Sequence, residues 1–206
     1  MKGRIVALLG ALVLVVAVAA AAAGGALAGG HRNTWMSGHS PMMSGSSLTE
    51  RDFLIEMVAH HEEAIVAAGQ LARSTRPEMR AFGDAVIATQ SAQVEQMQGW
   101  LKQWYPGQSR SASHQPMMRD LTGQSGDALD RAFLKDMIPH HMTAVMMSQR
   151  LLVAPAAASG SSSAVHAETR ALAVDIREGQ SAEIVQMRQW LVDWFGVRWA
   201  GMPMMR

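Results

Sequence analysis

Two stretches of this chain set one thioether three and four residues ahead of two adjacent imidazoles: Met57 with His60 and His61, and Met137 with His140 and His141. Residues three and four apart share a helix face, so in helical form each triplet offers sulfur and nitrogen donors together. Thioether and neutral imidazole suit Cu(I), and by extension Ag(I), far better than they suit magnesium, calcium or iron. A lone methionine or histidine at such spacing is ordinarily core. Four imidazoles in a core are another matter, because each buried polar group left without a partner costs about 1–3 kcal/mol. Within each pair the first histidine falls on the apolar stripe and the second on its flank. One can therefore coordinate while the other orients it or reaches a neighbouring helix.

Further sulfur lies nearby. Met97 and Met187 occupy matching positions in two later segments, where packing and ligation are both open to them. Met142, Met146 and Met147 extend the supply after His141, where the first stretch has Glu62, Val66 and Ala67, so they are an asymmetric addition that is either core or ligand. The pentapeptide His39-Ser40-Pro41-Met42-Met43 recurs as His114-Gln115-Pro116-Met117-Met118, among Gly, Ser and Arg, and the chain closes on Met202-Pro203-Met204-Met205. Proline cannot continue a helix, so these segments read as extended, mobile outer ligands that catch or pass on an ion. Glu62 and Glu63 read as solvated surface.

The elements that must position these groups follow from internal repetition. Phe53 to Ala64 matches Phe133 to Ala144 at an offset of 80, and Gln90 to Trp104 matches Gln180 to Trp194 at an offset of 90. The ten extra residues fall in Ala154 to Val165, a Pro/Ala/Ser/Gly stretch that reads as a loop. Phe53, Met57, His60, Ala64, Ala67 and Leu71 step by four and three, as do Phe133, Met137, His140, Ala144, Met147 and Leu151. Val86, Gln90, Gln93, Met97, Trp100 and Trp104 keep the same rhythm, and so do Ile176, Gln180, Glu183, Met187, Trp190 and Trp194. Four helices result, started by Thr49 with Asp52, Thr75 with Pro77 and Glu78, and Asp127 with Asp130, the second stopped by Pro106-Gly107. The expected fold is all-α, an up-down four-helix bundle of two repeated hairpins over 48–195 (48–105 and 126–195, joined by a Met/His-containing loop 106–125). The four tryptophans read as aromatic plugs at the bundle ends.

Around this domain, Lys2 and Arg4 precede an apolar run from Ile5 to Ala23 and an Ala26-Leu27-Ala28 cleavage pattern, so residues 1–28 read as an export signal. A run of about 19 residues nearly spans a bilayer, which leaves an uncleaved membrane anchor as the alternative. Residues 29–47 read as a Met/His-rich linker and 196–206 as a Met-rich tail. The expected location is periplasmic, cell-surface or secreted, with membrane contact only through the N-terminal segment. Setting aside Lys2 and Arg4 leaves 16 basic against 17 acidic residues without a basic cluster, which argues against nucleic acid as a partner. Without cysteine there is neither disulfide nor thiol, so any soft ligand set in an oxidising compartment must come from Met and His.

Met137-Ile138-Pro139-His140-His141 through Ala144, with Phe133-Leu134 before it and the Gln-Met-x-x-Trp-Leu segments Gln96–Leu101 and Gln186–Leu191, resembles the signature of the CopM-like family, long catalogued as a domain of unknown function. The resemblance spans 48–195. It implies a ferritin-like four-helix fold, export, and copper binding through Met and His for resistance or homeostasis. By matching position it points to Met57, His60, His61, Met137, His140 and His141. Ala59 in the first copy stands where the second has Pro139, which removes a helix amide and would re-aim the histidines beside it.

Iron-binding ferritin-like bundles use Glu-x-x-His, and here methionine stands three before the first histidine of each pair. The leading expectation is a non-enzymatic binder of Cu(I) or Ag(I), with the ion and a second copper-handling protein as partners. A metal-dependent oxidase would need oxygen donors, for which Glu95, Glu178 and Glu183 are the candidates. A membrane-tethered interaction bundle, its methionines mere packing, is the third reading.

Overall fold

The computed structural model describes residues 48–153 and 165–197. The leader, the linker with His39, Met42 and Met43, the Ala/Ser loop and most of the Met-rich tail lie outside the described residues. Among the described residues four helices form: α1 (Glu50–Gly69), α2 (Pro77–Trp104), α3 (Gly126–Val153) and α4 (Ala167–Phe195), with a short 3-10 turn at Gln70–Arg73. None of the described helices is long and apolar enough to cross a membrane.

Thr49 caps α1 through its side-chain oxygen, which accepts from the amide of Asp52. At α2 the cap is Arg76, not Thr75, and Pro77 supplies the first helical residue, where its missing N–H costs nothing. Helix α3 begins at Gly126, and Asp130 turns away from capping to take an ion pair from Arg76. The helix continues through Pro139, whose carbonyl accepts from the Thr143 hydroxyl. Both expected stripes of α1 and α3 are buried along their whole length, Phe53 to Leu71 and Phe133 to Leu151. The tryptophans are half-buried and stack in pairs, Trp100 on Trp104 and Trp190 on Trp194.

Helices α1 and α2 pack as one hairpin, α3 and α4 as the other, and α1 meets α3 across the middle. The start of α2 pairs with the start of α3 through Arg76 and Asp130. The end of α2 and the start of α4 both meet the start of α1, through Tyr105 and His166 on Glu50. Directions are therefore up, down, down, up, and the connection 106–125 must run the length of the bundle, the single crossover of ferritin-like folds. It is pinned as it goes. The Arg51 guanidinium donates to the Ser109 carbonyl, Ser113 donates to Glu56, Arg119 forks onto Asp136 and Arg73 donates to the Leu121 carbonyl. The second pentapeptide thus belongs to a docked strap: Glu63 on α1 accepts from the Met117 and Met118 amides, and Asp136 on α3 accepts from the amide of Arg119 just after it.

Candidate metal centre

At the crossing of α1 and α3 the rings of His60 and His140 lie face to face, centroids 3.6 Å apart and 14° from parallel. Both are buried, and burial holds both below the ordinary histidine range; His60 falls to about 2, with His140 beside it as the next cause. Neutral rings can stack this closely where two imidazolium ions could not.

The Nε2 atom of His60 lies 3.0 Å from the His140 carbonyl oxygen, which only accepts, so this nitrogen carries the hydrogen. His61 is 2.8 Å from Oε1 of Gln93 and His141 is 2.6 Å from the Glu183 carboxylate, again through Nε2. Each of the three rings therefore has its lone pair on Nδ1, and in all three Nδ1 is buried without a hydrogen-bond partner. An imidazole whose far N–H is fixed by an oxygen while its other nitrogen is bare is oriented as a metal ligand is. Burial lowers His61 to about 4, partly offset by Gln93, so its lone pair stays free of protons under mildly acidic conditions.

Sulfur lies on either side of this crossing. Met57, Met97, Met137 and Met187 are fully buried. Met57, Met97 and Met147 share one core cluster, while Met137 and Met187 share the other, with Met118 and Met142 packed against it. The centre thus brings together the two histidine pairs and, one helical turn away, the methionines on either side. Met146 is 53% exposed and Met117 37% exposed, so neither side chain belongs to the buried layer.

His114 reaches the centre from the strap, its ring edge-on to His60 at 5.4 Å. Glu63 brings it there, and the expectation of a solvated Glu63 is corrected. One carboxylate oxygen accepts from the amides of Met117 and Met118 at 2.7 Å each, and the other is 2.6 Å from His114. Burial pulls the Glu63 carboxyl upward, but His140, the two amides and His114 outweigh it and hold the group at about 2. A glutamate two residues beyond a histidine pair carries no local signal of this role, which depends on a segment some fifty residues away. Gln93 and Glu183 fell on the helical stripes, yet only the fold shows which histidine each one serves. Among the described residues no three His, Asp or Glu side chains form a ready-made chelate, so thioethers or a rearrangement must complete any ion's shell.

The model of the domain of unknown function DUF305 matches residues 50–190. The chain belongs to the DUF305 family. Among solved structures it is similar to CopM in a Cu(I)-bound form, at 33% identity and a TM-score of 0.58 over 72% of this chain and 99% of that one. An Ag-bound form obtained by soaking matches at 32% identity and a TM-score of 0.58, covering 73% and 99%, and a Cu(II)-bound form at 33% and 0.57, covering 71% and 97%. A DUF305 protein of Streptomyces coelicolor, described as secreted, is 22% identical with a TM-score of 0.58 over 72% of this chain and 93% of that one, and it supports the fold alone. No curated protein matches. The CopM-like resemblance read from the motifs is thereby shown, as is the all-α four-helix bundle.

Proposed function

We propose that this DUF305 protein is an extracytoplasmic binder of Cu(I) and Ag(I) that buffers, transfers or detoxifies the ion without turning it over. The observation that carries this reading is the buried, unpartnered Nδ1 of His60, His61 and His141, each ring fixed by an oxygen at Nε2 and each three or four residues along its helix from a buried methionine. Leaving such nitrogens bare costs about 1–3 kcal/mol apiece, which a bound ion would recover. Neutral nitrogen with thioether sulfur favours a soft monovalent cation. Solved relatives carrying Cu(I), Cu(II) and Ag support it. Of the oxygen donors an oxidase would use, Glu95 and Glu178 are exposed, and Glu183 faces His141.

Competition titration with Cu(I), Ag(I), Cu(II) and Zn(II) tests it. Cu(I) and Ag(I) should bind well ahead of Zn(II) at the centre. The double variant Met57→Leu, Met137→Leu conserves core volume and should fold. Its expected result is Cu(I) binding weakened by at least about ten-fold, as one donor is lost at each half-site; wild-type Cu(I) affinity in that variant would end the proposal.

A further inference from the structure

We propose that Glu63, His114 and His140 form a separate site for one divalent cation of the Cu(II) or Zn(II) class, chemically distinct from the thioether sites. It deepens the metal-binding reading but uses no methionine. The Nε2 atoms of His114 and His140 both face the same oxygen of Glu63, at 2.6 Å and 3.3 Å. A tetrahedral ion with bonds near 2.0–2.1 Å spaces its ligands roughly 3.3 Å apart, so both pairs are within an ångström of ligand spacing. His140 is fully buried; its Nδ1 has no hydrogen-bond partner, and its Nε2 has only the longer Glu63 contact. A buried imidazole whose Nδ1 has no partner, and whose Nε2 has only a carboxylate oxygen at ion-pair distance, is unexplained by packing alone.

The donors are also held in advance. The second oxygen of Glu63 is fixed by the Met117 and Met118 amides, which sets the carboxylate plane and leaves the first oxygen to project toward the rings. On either side of His114 the strap is tied to Glu56 and to Asp136. An open groove of about 550 Å3, lined by Glu62, Glu63, Met118 and Thr122, runs beside Glu63. The three groups are not drawn into a chelate yet, and an ion would enter by replacing the direct His114–Glu63 contact. One carboxylate oxygen and two imidazoles make a borderline donor set that prefers a divalent ion to Cu(I). The second repeat has Thr143 where the first has Glu63, and its hydroxyl is turned to the Pro139 carbonyl. The stoichiometry is therefore one ion per chain.

Full-length protein titrated with Cu(II), followed by electron paramagnetic resonance and by Zn(II) competition, decides the matter when Cu(I) binding is measured alongside. E63Q is the informative variant because a glutamine oxygen can still accept from the two strap amides. Wild type should take one Cu(II) with nitrogen coupling from two imidazoles. E63Q and H114A should each lose at least about ten-fold in Cu(II) affinity, while E63Q keeps Cu(I) affinity. Wild-type Cu(II) binding by E63Q, absence of imidazole-bound Cu(II) in the wild type, or equal loss of both ions in E63Q would overturn the proposal. Cu(II) bound as described with no Cu(I) binding would instead overturn the proposed function and leave this site standing.

Discussion

At the N-terminus of α2 the cation is Arg76, paired with the buried Asp130 and lying 4.9 Å over the Trp194 ring. At the N-terminus of α4, ninety residues on, the matching position is His166, whose ring meets Glu50 and stacks on Trp104 at 3.8 Å. The same latch is built twice, once with a guanidinium and once with an imidazole. The inner layer diverges likewise: His61 is backed by the neutral amide of Gln93, and His141 by the carboxylate of Glu183. The duplication preserves which groups meet while relaxing their charge, so equivalent positions should differ in strength and pH response.

Removing the permanent cation has the largest expected effect. Arg76→Ala leaves Asp130, 0% exposed, without its ion pair, and breaking a buried pair from one side costs about 3–5 kcal/mol. At the other latch, Glu50 keeps the Tyr105 hydroxyl, so His166→Ala should cost about 1.5–3 kcal/mol. Chemical denaturation of both variants checks the order; equal losses would mean that the latches are not distinguished by charge.

The buried histidines make the apoprotein acid-sensitive. The unfolded chain protonates His61 near 6.5, whereas the folded chain does so only near 4. Its contribution is thus complete above 6.5 and lost as pH falls, about 2 kcal/mol being gone by pH 5. His60, lower still, adds to the loss with the same sign. Unfolding midpoints at pH 7 and pH 5 measure it, and His61→Gln should flatten the difference.

Glu183→Gln tests the inner layer. A carboxylate behind an imidazole makes it the stronger donor, so this change should weaken the second half-site about 10–100-fold and bring it toward the first. Gln93→Glu should move the first half-site the other way. Stepwise Ag(I) titration reads both, and no change in either step would remove the carboxylate from any role in binding.

Much of this was legible because it depends on helical period alone. Phe53, Met57, His60 and their counterparts Phe133, Met137 and His140 lie on the buried stripes as the spacing required, and the offsets of 80 and 90 marked equivalent positions. Long-range pairings were not legible. Glu63 looks like any polar residue after a histidine pair until the strap lies across it, and strap position depends on α3 running parallel to α2. Arg76 was passed over for Thr75 because a threonine before Pro77 resembles a cap, while the tie from Arg76 to Asp130 crosses 54 residues.

The smallest effect sharpens the comparison inside each hairpin. Gly83 on α2 corresponds to Ala173 on α4. A Cβ at Gly83 would stand 2.9 Å from the Ala68 carbonyl oxygen and 3.0 Å from Leu71 Cβ, so α1 and α2 approach more closely than an alanine permits. Gly83→Ala should therefore destabilise by about 1–2 kcal/mol, the overpacking outweighing the better helix propensity. Ala173 is fully buried on its own helix, and Ala173→Gly should cost only about 0.5–1 kcal/mol, from backbone freedom and a lost methyl contact. Thermal unfolding of the pair decides whether the first hairpin is the tighter one, since a stabilised Gly83→Ala variant would show that its helices can part at no cost.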